Sequence, residues 1–405
     1  MSVYMGIDWS EKKHDVTFLN EAGQIISQLT LSHSPEGLLK LEQTRQALGV
    51  CPAECLVGLE TAHNLIIDWL WSRGYRQIYV IAPTVVKSSR GRYNQSGART
   101  DRHDSRLNAD LVRTDRPRLY PWRPDELLTR QIGAKVREIN DLTKTIVARS
   151  NRLRAILVRY YPAALSVFSS LSSQIALEFV RTYPTPAAAA DLSWSQFEAF
   201  ALAQGYPHPK QLPDCYLRLQ QAQLAATPET VLIYQAEVPW LAEELLRWVQ
   251  HKTQALRQLR QLFGQHPDQA IFASLPGLGE LLAPALLAKF GDDRQRFPSP
   301  ASLQALAGTC PVTDQSGQRR LIKFRRGCDH EFRQICQQWA RHSLETSLWA
   351  KAYWQQIRPH CQSDQHAYRC LANRWLAVAW KLWQTGQTYD QTYHLQQRMI
   401  RAKAR

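Results

Sequence analysis

Residues 99–106 read Arg-Thr-Asp-Arg-His-Asp-Ser-Arg, two carboxylates three residues apart inside a strongly basic run. On a helix, residues at i and i+3 are surface neighbours, so Asp101 and Asp104 would project from one face. Two stacked carboxylates suit a hard divalent cation, which takes oxygen ligands. Lys87, Arg90, Arg92, Arg99, Arg102 and Arg106, with Arg113, Arg116 and Arg118, surround the pair, so a region able to hold a metal would also attract a polyanion. Metal beside phosphate is the setting of phosphoryl transfer. An exposed helix laced with ion pairs would present the same residues, so the pair needs partners elsewhere in the chain.

Those partners depend on the elements that precede it. Residues 4–10 and 15–19 are apolar runs bounded by polar residues and residues 25–31 alternate, which predicts three strands in an antiparallel meander. Ser34-Pro35 opens a helix, with a capping serine and a proline at its first position, that runs to Gly49. A strand at 55–60, a helix at 65–73, a strand at 77–83 and the helix carrying the acid pair follow. Asp8 lies inside the first strand and Glu60 ends the fourth. A carboxylate within an apolar strand is unfavourable by several kcal/mol unless paired or ligated. One arginine would satisfy Asp8, but Glu60 repeats the anomaly.

This order is the layout of the ribonuclease H-like fold, whose active acids lie on the first strand, at the end of the fourth and on a later helix. Asp8, Glu60, Asp101 and Asp104 occupy those places and would converge. Two divalent ions held by them would activate an attacking oxygen and steady the leaving one. Gly6-Ile7-Asp8, Gly58-Leu59-Glu60-Thr61 and Thr100-Asp101-Arg102-His103-Asp104 resemble the motifs of the DEDD transposases of bacterial insertion sequences, the one-ten type. The N-terminal domain of that family is similar to the RuvC Holliday-junction resolvases.

Farther on, Leu128, Ile132, Val136, Ile139, Leu142, Ile146, Leu153 and Leu157 recur at helical spacing, and residues 231–263 repeat the pattern. The two arms could pair as an antiparallel coiled coil, lie against a second chain, or form an intramolecular hairpin. Short helices with proline punctuation fill the space between them. Ser274-Leu275-Pro276-Gly277-Leu278-Gly279 before an apolar helix resembles one hairpin of a helix-hairpin-helix unit, whose turn would meet a phosphate or serve packing alone. Six tryptophans between 339 and 383 read as core fillers.

Ser316 lies in a glycine turn ahead of Arg319, Arg320, Lys323, Arg325 and Arg326, a dense positive field for a phosphate. By itself Ser-Gly is an ordinary turn. The resemblance gives it weight. In the DEDD transposases a Ser-Gly after a Gly-x-x-Pro element supplies the nucleophile that links covalently to DNA, and Gly308-Thr309-Cys310-Pro311 to Ser316-Gly317 fits that arrangement. Thr313 is the other hydroxyl in reach.

Lys plus Arg number 50 against 35 Asp plus Glu, a net charge of +15 spread over several segments, which points to a nucleic-acid partner. No apolar run approaches the ~20 residues that span a bilayer, and the start lacks the pattern of a signal peptide, so a cytoplasmic protein without a membrane partner is expected. The eight cysteines form no Cys-x-x-Cys pair and are expected to be reduced. Cys361 and Cys370 with His360 and His366 match no standard zinc spacing, so no metal is assigned to them.

The fold class expected is α/β plus α. Residues 1–123 form a RuvC-like, RNase H-like catalytic domain, 124–268 a helical coiled-coil connector with a helical insert, 269–395 a C-terminal transposase domain carrying the serine, and 396–405 a basic tail. The resemblance implies a DNA transposase or recombinase in which Asp8, Glu60, Asp101 and Asp104 bind Mg²⁺ or Mn²⁺ and Ser316 forms a phosphoserine link. It further implies a noncoding bridge RNA and a homo-oligomer, dimer or tetramer, in which one protomer's acids are completed by another's serine. The alternative is a RuvC-like junction or structure-specific nuclease using water as nucleophile.

Overall fold

The computed structural model describes residues 2–62, 65–92, 100–221, 226–317 and 319–403, with side chains as far as 397. It divides the chain into two compact units, Met1–Pro124 and Asp125–Arg405. In the first, β1 (Val3–Trp9), β2 (Lys13–Leu19) and β3 (Ile25–Ser32) form the antiparallel meander. The chain continues through α1 (Pro35–Ala47), β4 (Cys55–Leu59), α2 (Leu65–Ser72), β5 (Gln77–Val80), α3 (Pro83–Ser89) and α4 (Asp101–Asp115). The sheet order is β3-β2-β1-β4-β5, with β4 parallel to β1 and β5 parallel to β4. Parallel neighbours need crossovers, and the segments bearing α1 and α2 supply them.

Strand alternation sorts the sheet into two faces. Met5, Ile7, Val57, Leu59 and Ile78 pack with Leu41 of α1 and Ile66, Ile67 and Leu70 of α2. On the other face, Leu56 and Tyr79 pack with Leu107, Leu111 and Val112 of α4. Gly6 and Gly58, cross-strand partners, lie on this second face and let α4 come down onto the strand backbone. A Cβ on Gly6 would stand 1.9 Å from the Ser105 carbonyl oxygen, and one on Gly58 2.4 Å from that of Asn108. Only glycine permits so close an approach of one backbone to another. The Thr17 and Ser105 hydroxyls meet at 2.8 Å in the interior, and Asn108 Nδ2 donates to the Ile7 carbonyl at 3.0 Å. Thr100 caps α4, its hydroxyl accepting from the His103 amide at 3.3 Å.

Among its described residues the second unit is helical apart from one hairpin. It opens with α5 (Leu127–Tyr160), followed by α6 (Ala163–Val167), α7 (Gln174–Thr182), α8 (Pro186–Ala190), α9 (Trp194–Ala203), α10 (Leu212–Gln220), α11 (Pro228–Tyr234) and α12 (Glu237–Gly264). Arg152 pairs with Glu237, Arg149 with Glu244 and His251 with Glu138, so α12 runs antiparallel to α5 within the chain. One end of this helical pair packs Leu153, Leu157, Leu241 and Leu245 with α6, α7, α9 and α10. The other packs Ile132, Val136, Leu259 and Phe263 with the elements that follow. These are α13 (Gln269–Ala273), α14 (Leu282–Phe290), α15 (Pro300–Leu306), the hairpin of β6 (Val312–Ser316) and β7 (Arg319–Lys323), α16 (His330–Thr346), α17 (Leu348–Ile357), α18 (Asp364–Thr385) and α19 (Gln391–Lys403).

Trp339, Trp375 and Trp383 are fully buried in that core, as their spacing predicts. The basic stretch from 396 is not a separate segment at its start, because α19 runs through it to Lys403. The Asp390 carboxylate accepts from the Thr392 and Tyr393 amides at 2.8 and 3.1 Å and starts the helix, and Leu395 packs on the core. No helix of the described residues is long and apolar enough to cross a membrane.

Gly6→Ala is expected to lower the unfolding free energy of the N-terminal unit by about 3 kcal/mol, the upper end for overpacking, since its new carbon would meet backbone. A denaturant melt followed by circular dichroism measures this, and an unchanged midpoint would mean that α4 is not seated on the sheet.

Candidate active site

With α4 on the glycines, the positions of the acids follow. Asp8 stands two residues beyond Gly6 and Glu60 two beyond Gly58, so strand alternation turns both toward α4. Asp101 and Asp104 fall in the first turn of that helix, as their spacing predicts. Asp8 is half-buried, and burial together with Asp104, Asp101, Glu60 and Asp15 pushes its carboxyl up to about 7. Glu60 is raised as well, by burial and then by Asp104, with Arg90 acting against them. The four predicted acids thus share one electrostatic neighbourhood, drawn from three separate elements.

Cations hold the outer two. Arg90 grips Asp104 with Nε at 3.1 Å and Nη2 at 2.8 Å, and Lys13 Nζ sits 2.8 Å from Asp101 Oδ2. Among the described residues no three of these carboxylates bring their oxygens within 4.8 Å of one another. An ion shared by them would therefore have to draw Asp101 and Asp104 off Lys13 and Arg90. The donor set fits such an ion: every ligand is an oxygen, no basic side chain among the described residues pairs with Asp8, and the buried Asn108 Oδ1, one turn beyond Asp104, has no hydrogen-bond partner.

Asp15 belongs to this neighbourhood, and the sequence reading passed over it. It is Asp8's cross-strand partner, is buried, and accepts from Thr30 Oγ1 at 2.6 Å, with Lys13 at 3.7 Å and Arg102 at 4.0 Å. A carboxylate opening an apolar strand was the available signal, the same one that marked Asp8. Beside it, His14 Nε2 lies 2.8 Å from His33 Nδ1, and burial and then His33 drive the His14 imidazole down to about 4, which leaves it neutral near pH 7.

The predicted nucleic-acid residues of this unit divide by engagement. Arg90 is committed to Asp104, and Arg92 to Asp115 at 3.0 Å and Asp110 at 3.6 Å. Lys87 and Arg102 are exposed, Arg106 is half-buried, and Arg99 lies outside the described residues.

In the second unit, Ser316 is the last residue of β6, opposite Arg319, with Gln315 opposite Arg320, and both strands are exposed throughout. The serine therefore sits on the final strand pair, with Gly317 beginning the turn. Alternation puts Thr313 and Ser316 on opposite faces of the ribbon, so one phosphate would not meet both equally. Lys323 pairs with Asp314, Arg325 Nε donates to the Cys310 carbonyl at 3.4 Å, and Arg326 is exposed. Phe324, just past β7, carries the guanidinium groups of Arg333 and Arg369 at 4.5 and 4.6 Å from its ring centre.

The glycine turn at 275–279 serves packing. Gly277 has φ +80°, a Cβ there would meet the Ser343 amide nitrogen at 2.4 Å, and Trp339 Nε1 donates to the Pro276 carbonyl at 2.9 Å. The turn faces α16, which explains its glycine without a phosphate.

Comparison with known proteins finds family matches in both units. Residues 5–162 match a family model described as "Transposase", the DEDD type of IS110, and residues 269–355 match the "Transposase IS116/IS110/IS902 family". A mixed sheet carrying clustered acids, joined to a helical second unit, is here the chassis of a transposase, an enzyme class that acts on DNA. Over 407 residues the chain is 29% identical to a protein of Streptomyces coelicolor named as a mini-circle transposase for IS117, covering 96% of each chain. It is 26% identical over 390 residues to a 42 kDa protein of the insertion element IS900 of Mycobacterium paratuberculosis, covering 94% of this chain and 95% of that one. A 43.6 kDa protein of IS110 of Streptomyces coelicolor is 27% identical over 221 residues, 54% of each chain. The chain belongs to the IS110-type family of DEDD transposases.

Asp8 gives a test with a definite sign. Its carboxyl is raised to about 7 from an ordinary value of 3.8, so between those values the folded chain binds the proton that the unfolded chain has released. Stability from this group falls as pH rises through that window and stays low above it. Asp8→Asn is expected to raise the metal-free thermal midpoint by roughly 2–4 °C at about pH 8, with the gap closing toward about pH 4. It should also abolish stabilisation by added Mn²⁺, and a variant that melts below wild type at high pH would contradict the clustering.

Proposed function

We propose that this transposase cuts and exchanges DNA strands through a phosphoserine intermediate, with Asp8, Glu60, Asp101 and Asp104 holding divalent ions, Mg²⁺ or Mn²⁺. The observation that carries the reading is the gathering of four carboxylates, Asp8 among them, from a strand, a strand end and a helix start. The topology of the first unit, a three-stranded meander extended by two parallel strands, supports assigning it to the ribonuclease H-like, RuvC-like class. Bound ions would supply charge neutralisation at the phosphate and activation of the attacking oxygen.

Ser316 is the proposed nucleophile. Its Oγ bonds to phosphorus as a phosphorus–oxygen bond of the DNA backbone breaks, the serine proton is lost, and the departing DNA oxygen gains one. The ester retains the energy needed to rejoin strands. Arg319 and Arg320 on the facing strand, with Lys323, Arg325 and Arg326 beyond, place positive charge along the ribbon where the phosphate would lie. Exposed Lys87 and Arg102 would track the backbone of DNA bound at the acids. The net charge of +15 also leaves capacity for a noncoding bridge RNA that guides the reaction. The family pattern further supports assembly as a dimer or tetramer in which one protomer's serine serves another's acids.

The test uses the full chain with the noncoding RNA of its element, Mg²⁺ and DNA bearing the element junction. A covalent protein–DNA adduct is expected with wild type and with Thr313→Ala, and its yield should fall at least about 100-fold in Ser316→Ala and in Asp8→Ala. Cleavage without adduct, undiminished in Ser316→Ala, would replace this mechanism with hydrolysis by a resolvase-like nuclease.

A further inference from the structure

At the start of α18 three donors that their spacing does not pair stand together. Cys361 follows the short 3-10 turn Arg358–His360, and His366 and Cys370 lie one turn apart on α18. One donor atom from each lies within 4.8 Å of those of the other two, and all three residues are half-buried. No other three His, Cys, Asp or Glu side chains among the described residues meet this condition.

We infer that Cys361, His366 and Cys370 form a zinc site, its fourth position taken by water. Two sulfurs and an imidazole are the ligands that Zn²⁺ selects, and they would not compete for Mg²⁺, which takes oxygen. With both thiols ionised and the imidazole neutral, the ligands balance the charge of one Zn²⁺. Residues i and i+4 share a helix face, which gives His366 and Cys370 a common direction.

The loop that brings Cys361 to them is already held. Arg358 pairs with Asp364 and donates through Nη1 to the Cys361 carbonyl at 3.1 Å. The Cys361 amide donates to the Arg358 carbonyl at 3.1 Å, and Ser363 Oγ accepts from the His366 amide at 3.3 Å. Zinc would thus meet a formed site and close a loop already pinned at both ends.

The position gives the site a purpose. Arg369 precedes Cys370 and covers Phe324, the residue that follows the ribbon carrying Ser316. An ion fixing the first two turns of α18 would fix the Arg369 platform, and through Phe324 the base of that ribbon. The inference stands on these donors alone and does not depend on Ser316 being the nucleophile.

Full-length protein purified with reductant and without chelator is expected to carry one zinc per chain by elemental mass spectrometry. Cys361→Ser and Cys370→Ser should each reduce zinc to background, while Cys310→Ser and Cys328→Ser retain it. Replacing zinc in the wild-type protein with Co²⁺ should give the thiolate-to-cobalt charge-transfer band and tetrahedral d–d bands, a readout that stands even if a variant fails to fold. Wild-type protein that holds no zinc and gives no cobalt band would overturn the inference, as would zinc retained in the Cys361→Ser/Cys370→Ser double variant. A Cys361–Cys370 disulfide found in the reduced preparation would overturn it too and make the pair a redox element.

Discussion

The close contact between α4 and the sheet at Gly6 and Gly58 is the constraint on which the acid site depends. Cross-strand partners without side chains remove the layer that normally separates a helix from a sheet, so the α4 backbone rests against β1 and β4. Each glycine also lies two residues before an acid, and strand alternation then sends Asp8 and Glu60 to the side where the helix begins. Recognition between Thr17 and Ser105, and between Asn108 and the Ile7 carbonyl, sets the rotation of the helix. That rotation puts Asp101 and Asp104 over the strand ends.

The electrostatics follow from this packing. Several carboxylates brought close to one half-buried member are unfavourable without a counter-charge, and the raised Asp8 and Glu60 record it. Lys13 and Arg90 pair directly with the outer two, and reach Asp15 and Glu60 at longer range, but neither pairs with Asp8. A divalent ion would relieve the whole group, so the arrangement sets metal binding against two ion pairs and couples occupancy to the position of Arg90, which leads from α3 toward the basic stretch.

Much of the first unit is legible in the sequence because its signals are local. Alternating strands, Ser34-Pro35 at a helix start and glycines at helix ends each specify an element without reference to the rest. Asp8 and Glu60 stand out because a charge in an apolar strand needs an explanation, and Asp15 carried the same signal in a run read only for its shape. What could not be read depends on distant partners. The choice of an intramolecular pairing for α5 and α12 rests on Arg152 meeting Glu237, and the role of Gly277 on an α16 backbone that passes beside it. The Cys361, His366 and Cys370 cluster forms across a loop-to-helix junction, where neither helical periodicity nor a fixed ligand spacing applies.

On the reading proposed above, residues from β1, the end of β4 and the start of α4 form one divalent-ion site. Iron-directed cleavage tests it most directly: Fe²⁺ with ascorbate and peroxide cuts backbone next to the bound ion, and Mg²⁺ competes for the same place. A shared site gives cuts near residues 8, 60 and 101–104 together, suppressed by Mg²⁺ and lost as a set in Asp8→Asn. Cuts at only one of these segments, or a pattern indifferent to Asp8, would mean that the carboxylates are separate ion-pairing groups and no metal centre.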